Sequence, residues 1–261
     1  MGKNMENENK SAHDFDVNLI CEYYSNFDRQ GPGSPEMTIK ALTFIDDLNN
    51  KLQIADIGCG TGGQTITLAQ NTVGNITGID NSAFMIDKFN INVNKFNLLN
   101  RVKGIIGSMD NLSFKNEELD MIWCEGAIYN IGFERGFREW NKYLKKGGYI
   151  AVTEASWFTE SRPDEINDFW IDAYPEINTI SNCISIMQKT GYIPIASFIL
   201  PECCWTDLFY DTHTSFQEEF IKKYAGNKTV EDFVNYERRE VELYRKYKEY
   251  YGYVFYIGKK I

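Results

Sequence analysis

The sequence predicts an α/β fold: a doubly wound, mostly parallel seven-stranded sheet, with N-terminal helices and a helical insertion before the last strand. Three observations carry that expectation. From residue 51 onward, short apolar runs alternate with helical patterns, as happens when crossover helices join parallel strands. Residues 119–124 are apolar apart from Asp120, which suits a strand buried on both faces. The stretch Ile54-Ala55-Asp56-Ile57-Gly58-Cys59-Gly60-Thr61-Gly62-Gly63-Gln64 reads as a buried strand, a glycine turn and a helix start.

Taken in order, Phe15, Leu19, Tyr23 and Phe27 recur at helical spacing, and the run Gln30-Gly31-Pro32-Gly33-Ser34-Pro35 then breaks the chain. A second helix is expected over 36–48, with Ser34 as N-cap and Pro35 at its first position. These two helices either cover a pocket or simply pack on the sheet edge. Strands are expected at 51–57, 75–80, 102–107, 119–124 and 149–154, with helices at 62–71, 82–96 and 133–143. Lys145-Lys146-Gly147-Gly148 reads as the basic, glycine-terminated end of the last of these helices. Beyond it, helices are expected at 163–172 and 180–189, a strand at 192–200, a charged helix at about 230–250 and a last strand near 253–258. Without a repeat or a low-complexity linker, the pattern suits one domain over 1–261. Residues 15–50 form its N-terminal cover, 51–158 the core, and 159–261 the remaining half, with the insertion at about 201–250.

Composition narrows the partners. The chain has 261 residues, 43% of them hydrophobic, and a formal net charge of −10. Such a surface repels phosphate backbones, so nucleic acid is an unfavourable partner, and the short basic clusters Lys145-Lys146 and Lys222-Lys223 suit solvated faces. The six cysteines (21, 59, 124, 183, 203, 204) lack paired metal spacing. No signal peptide or apolar run of membrane length is evident, so a reduced cytoplasmic setting without a membrane partner is expected. The polar first dozen residues are expected to fray. Nothing in the composition fixes an oligomeric state.

The glycine turn carries the chemistry. Gly58, Gly60, Gly62 and Gly63 put four glycines in six positions, more than a plain turn requires. They permit positive φ and close approach of a ligand to the backbone, ahead of a helix with free N–H groups. Gly58-x-Gly60-x-x-Gly63 also fits the dinucleotide fingerprint, and Asp80 stands where a carboxylate would hold a ribose. Asp56, two residues ahead of the first glycine, separates the alternatives. A carboxylate there would repel a pyrophosphate but suits S-adenosylmethionine, which carries a sulfonium and an ammonium and no phosphate.

The order Asp56-x-Gly58-x-Gly60-x-Gly62, with Asp80 after a second strand, resembles the class I S-adenosylmethionine-dependent methyltransferases. The likeness covers roughly 54–152. It implies a seven-stranded sheet whose last two strands are antiparallel, and S-adenosylmethionine as the cofactor. Residues after each strand are then the candidates. Asp56, Gly58, Cys59 and Gly60 would hold the methionine part. Asp80 would accept from the ribose hydroxyls, or else cap the next helix, with Asn81 following and Met85 packing on adenine. Gly107-Ser108-Met109-Asp110-Asn111-Leu112-Ser113-Phe114 is similar to the adenine loop of ubiquinone/menaquinone-type C-methyltransferases. Aligned on Leu112 and Phe114, that family's adenine-binding Asp falls on Ser108 and its Pro on Ser113. Either Ser108 or Asp110 would then reach the adenine amino group, with the Met109 backbone beside it.

After the fourth strand, Glu125 is a candidate general base or amine ligand, or alternatively a partner for a backbone N–H. Tyr129 is either a pocket wall or a hydrogen-bond donor. Trp157, Phe158, Tyr23, Tyr24, Trp205 and Tyr210 are candidate acceptor walls, and His213 or His13 a candidate base. The signatures of amino-methylating and cytosine-methylating nucleic-acid enzymes are absent. The expected reaction is metal-free, in-line methyl transfer to a small-molecule acceptor. The alternatives are RNA or protein methylation, a nicotinamide-dependent oxidoreductase lacking a Tyr-x-x-x-Lys pair, and a non-catalytic cofactor-binding module. The first 50 residues and those after Phe158 carry no assignable motif.

Overall fold

The computed structural model describes residues 15–49 and 51–261. The expected fraying of the first dozen residues, and His13, therefore fall outside the described residues. Two short helices lead in, α1 (Val17–Tyr24) and α2 (Pro35–Leu42). The β/α alternation follows: β1 (Leu52–Ile57), α3 (Gly63–Asn71), β2 (Gly74–Asp80), α4 (Ala83–Lys95), β3 (Val102–Ile106), β4 (Leu119–Glu125), α5 (Phe133–Trp140) and β5 (Leu144–Trp157). The second half comprises α6 (Asp164–Ala173), β6 (Asn178–Thr179), α7 (Ile180–Lys189), β7 (Tyr192–Ile199), α8 (Asp211–Lys223), α9 (Lys228–Tyr247) and β8 (Tyr251–Lys260).

The strands lie in the order β3-β2-β1-β4-β5-β8-β7, with the two-residue β6 paired to β5. The first five are parallel, and β8 runs antiparallel to both β5 and β7. The doubly wound, mostly parallel sheet is thus as expected, with β6 an eighth, minor strand. The last two strands, β7 and β8, form the expected antiparallel pair at the sheet edge, with β7 outermost.

Alternation along each strand divides the core between the two faces of the sheet. Ile54, Ile76, Trp123, Ala151 and Phe255 pack with α2, α3, α4 and the insertion. Ala55, Ile79, Ile122, Val152 and Tyr256 pack with α5 and α7. A third cluster joins α1 to the insertion, where Phe15 and Tyr23 meet Phe220, Val230, Phe233 and Val234. The apolar stripe of the first helix therefore has a partner, and that partner is the late insertion rather than the sheet edge.

Several boundaries differ from expectation for identifiable reasons. Ser34 does cap α2, accepting from the Met37 N–H, but the helix ends at Leu42 rather than continuing to 48. Lys145-Lys146-Gly147-Gly148 is not a helix end. It lies inside β5, where Gly147 at φ +77° bends the strand and shifts its register against β4. The helical insertion expected at about 201–250 is present as an irregular turn at residues 206–210, α8 and α9, of which only α9 was expected as an individual helix.

Candidate active site

The loops after β1, β2, β3 and β4 converge where the strand order reverses, between β1 and its neighbours β2 and β4, and they line a cavity of about 440 Å³. Its floor is the glycine loop. Gly58 adopts φ +72°, and a Cβ there would stand 2.3 Å from the Ala127 Cβ. Gly60 adopts φ +51°, and its Cβ would stand 1.9 Å from Gln30 Oε1. Both positions favour glycine on conformation, and Gly58, against the short Ala127 side chain, on space as well. The loop is tied to β2 twice over. The Gly58 and Cys59 N–H groups donate to the Ile79 carbonyl at 2.8 and 3.0 Å, and the Gly60 N–H donates to Asp80 Oδ2 at 3.0 Å.

Asp80 also accepts from the Ser82 N–H at 3.0 Å, while Ser82 caps α4 through the Met85 N–H. Asp80 is therefore not the helix cap. Its carboxylate, on the cavity wall, binds two loops together and keeps lone pairs free for a ligand's hydroxyls. Burial raises its pKa. Asn81, Met85, Ser108, Met109 and Asp110 border the same cavity. Trp140 fixes the third loop by donating to the Met109 carbonyl at 3.0 Å. The Asp110 carboxylate is drawn toward Arg135, 3.0 Å away on the exposed rim, whereas Ser108 Oγ accepts from the Asp110 N–H.

Asp56 and Cys59 do not border the cavity. Asp56 is fully buried behind the loop, accepting from Thr65 Oγ1 and from Gln64 Nε2, and burial pushes its pKa up to about 7. It anchors the start of α3 and does not present a charge to a ligand. The charge argument that set it against a pyrophosphate is thus weaker than the sequence suggested. The Cys59 side chain is also fully buried, next to Gly78.

Glu125 is not placed to act as a base. One of its oxygens is ion-paired with Arg29, and the other accepts from Thr38 Oγ1 at 2.7 Å and Trp123 Nε1 at 2.8 Å. A carboxylate whose two oxygens are already engaged by three donors has no lone pair aimed at a substrate proton. Tyr129 sits on the cavity wall with 43% of its surface accessible and its ring edge-on to Tyr174. An ordinary phenol is protonated at neutral pH, so its hydroxyl is a donor there and not a base.

Of the expected acceptor walls only Tyr24 lines this cavity. Tyr23, Trp157, Trp205 and Tyr210 are buried in core clusters, and Phe158 borders a separate cleft near β8. His213 is buried with its ring stacked 3.8 Å from Phe27, and burial pushes its pKa down to about 3, so it stays neutral. Sequence reading missed the segment 27–32. There Gln30 bridges the cover to the loop, accepting from the Thr61 N–H at 3.1 Å and donating to Thr61 Oγ1 at 3.0 Å, and Arg29 reaches Glu125. The only sequence signal was its position beside a Gly/Pro break.

Comparison with known proteins adds the decisive observation: residues 54–148 match the family model of a methyltransferase domain. The chain carries a methyltransferase domain. The sterol 24-C-methyltransferase of Candida albicans is 25% identical over 64% of this chain and 49% of its own length. That of Saccharomyces cerevisiae is 25% identical over 77% of this chain and 54% of its own. The chain thus spans about half the length of the curated relatives it matches. These relatives are sterol enzymes, not the ubiquinone/menaquinone type that the adenine loop resembles. Among solved structures, a methyltransferase from Geobacter sulfurreducens in complex with S-adenosyl-L-homocysteine superposes with a TM-score of 0.82. It is 16% identical and covers 95% of this chain and 99% of its own, so the likeness is one of fold. That fold is the class I S-adenosylmethionine-dependent methyltransferase fold.

Proposed function

We propose that this chain transfers the methyl group of S-adenosylmethionine to a small-molecule acceptor, without a metal. The cofactor is S-adenosylmethionine. The cradle fits it: two positive-φ glycines leave the loop bare where a Cβ would collide, and an acceptor-only carboxylate stands beside them. In this reading Gly58 and Gly60 admit the amino-acid part, Asp80 accepts from the ribose hydroxyls, and Met85, Ser108 and the Met109 backbone surround the adenine. When bound, the cofactor would supply a methyl carbon already activated by its sulfonium for transfer to the acceptor's lone pair or π-electrons, with the sulfur as leaving group. The chain's own contribution is to align and to exclude water, which in favourable cases supplies on the order of 7–11 kcal/mol. Arg29 and Glu125 do this by locking the N-terminal cover onto the end of β4, and Gln30 by locking it onto the glycine loop.

The observation that supports a small acceptor is that residues 29–32 of the N-terminal cover line this cavity, together with the net charge of −10. The test is incubation with methyl-labelled S-adenosylmethionine and, in separate vessels, a low-mass metabolite extract, total RNA and denatured protein. Label in low-mass products is expected; label confined to RNA or protein overturns the reading. Titration with S-adenosylmethionine, S-adenosyl-L-homocysteine and NAD checks the cofactor independently, and NAD should not bind.

A further inference from the structure

S-adenosylmethionine is a zwitterion at its amino-acid end, and the glycine loop has no donor left for the carboxylate half. The N–H groups of Gly58 and Cys59 donate to the Ile79 carbonyl, that of Gly60 to Asp80, that of Thr61 to Gln30 and that of Gly62 to the Cys59 carbonyl. Asp80 and Glu125, which line the cavity, are themselves carboxylates and repel an anion. A carboxylate placed here without a donor or a counter-charge is costly to desolvate.

Among the described residues that line the cavity there is one cation, and it comes from the N-terminal cover. Arg29 lies across the start of α3, its Cγ 3.1 Å from where a Gly63 Cβ would stand. Gly33 leaves room for the guanidinium, which a Cβ there would meet at 2.5–3.0 Å. Nη2 is ion-paired with Glu125, whereas Nη1 is buried with no hydrogen-bond partner. A guanidinium is a planar fork that serves two partners at once, so the orphaned Nη1 is an unused arm of that fork. Beside it, α3 begins at Gly62 with no side-chain cap, which adds the positive end of a helix.

We propose that Arg29 is a cofactor-binding residue, whose Nη1 holds the carboxylate of the amino-acid part of S-adenosylmethionine while its Nη2 holds Glu125. The assignment rests on the S-adenosylmethionine reading of the cavity. Residue 29 lies outside the stretch 54–148 that matches the methyltransferase model, so the N-terminal cover itself supplies a ligand contact. Ligands that carry the carboxylate therefore fasten the cover, and ligands that lack it do not.

The test is calorimetric titration of the full chain with S-adenosyl-L-homocysteine and with S-adenosyl-3-thiopropylamine, which keeps the amine and lacks the carboxylate. The parent chain is expected to bind the carboxylate-bearing ligand about 10- to 100-fold more tightly. Arg29→Gln should cut that preference to below about threefold and leave the thiopropylamine affinity within about twofold, which also reports that the variant is folded. Glu125→Gln breaks the same ion pair but keeps Arg29, and it should retain the preference. Should glutamine at position 29 prevent folding, Arg29→Lys keeps a charge for Glu125 but loses the second arm, and the same loss of preference is expected. Amide exchange over residues 27–32 should slow with S-adenosyl-L-homocysteine and not with the thiopropylamine. Equal affinity of the parent for the two ligands, a preference that survives the change at Arg29, or an equal loss of both ligands there overturns the inference alone. Binding of neither ligand by the parent overturns the cofactor reading and this inference with it.

Discussion

The cofactor side of the cavity and the interior behind its far wall treat their carboxylates in opposite ways. On the cofactor side each is satisfied from within the chain: Asp80 by two backbone N–H groups, Asp56 by Thr65 and Gln64, and Glu125 by Arg29, Thr38 and Trp123. On the far side, Glu237 and Glu240 have one hydroxyl donor each, and Glu154 keeps an oxygen without any partner. A buried charge left short of partners costs folding free energy. The contrast therefore separates carboxylates fixed in advance around the cofactor loop from carboxylates that burial keeps protonated. It also explains why one side is legible as a motif and the other is not.

The largest test of the contrast is Arg29→Met, which strands Glu125 in a site where the two side chains are only 13% and 3% exposed. A loss of about 3–5 kcal/mol in urea unfolding is expected. A loss below about 1 kcal/mol would mean that the pair is no clamp between the cover and β4. Next in size, Asp80→Ala removes an acceptor of two loop N–H groups, and its S-adenosyl-L-homocysteine affinity should fall about 10- to 100-fold by calorimetry. Unchanged affinity would detach Asp80 from the cofactor.

The pH response follows from the far side. Burial pushes Glu154 and Glu237 up to about 8, well above an unfolded glutamate. Between about pH 4.5 and 8 the native state then binds more protons than the unfolded chain, so stability falls as pH rises, by at most roughly 1.4 kcal/mol per pH unit per group, and levels off above 8. Glu154→Gln should flatten that slope, gaining stability over the parent at pH 8.5 and not at pH 4. Urea midpoints at the two pH values decide it, and an unaltered slope would show that Glu154 is not buried as a neutral acid. The smallest effect concerns the adenine loop. Ser108→Ala should weaken cofactor binding about three- to tenfold, and Asp110→Asn by less than about twofold, because Asp110 is turned to Arg135 on the rim. The reverse ranking would give the adenine contact to Asp110.

What could be read ahead of the structure was local. Ser34 and Ser82 were recognisable as helix starts, and Gly58 and Gly60 as turn glycines, because caps and positive φ are set by residues next to one another. Misreadings arose wherever a distant neighbour decided. Lys145-Lys146-Gly147-Gly148 has the composition of a helix end, yet it lies inside β5, in the register shift between Leu144 and Tyr149, which pair with β4. Trp157 and Trp205 were plausible pocket walls, yet both are fully packed, Trp205 stacked on Tyr244 at 4.5 Å. Glu125 looked available for chemistry until Arg29, 96 positions away, was found against it.

The sequence by itself therefore determined the alternation of strands and helices, the bare glycine cradle and the carboxylate that ends β2, because each depends on spacing along the chain. Only the tertiary structure decided that Asp56 lies behind the loop, that residues 27–32 pack against it, and that Glu237 and Glu240 of α9 accept from Tyr24 and Tyr210. Those outcomes depend on which segments come to share a low-dielectric interior, where burial and pairing set the cost of every charge, and a linear order of residues does not state who those neighbours are.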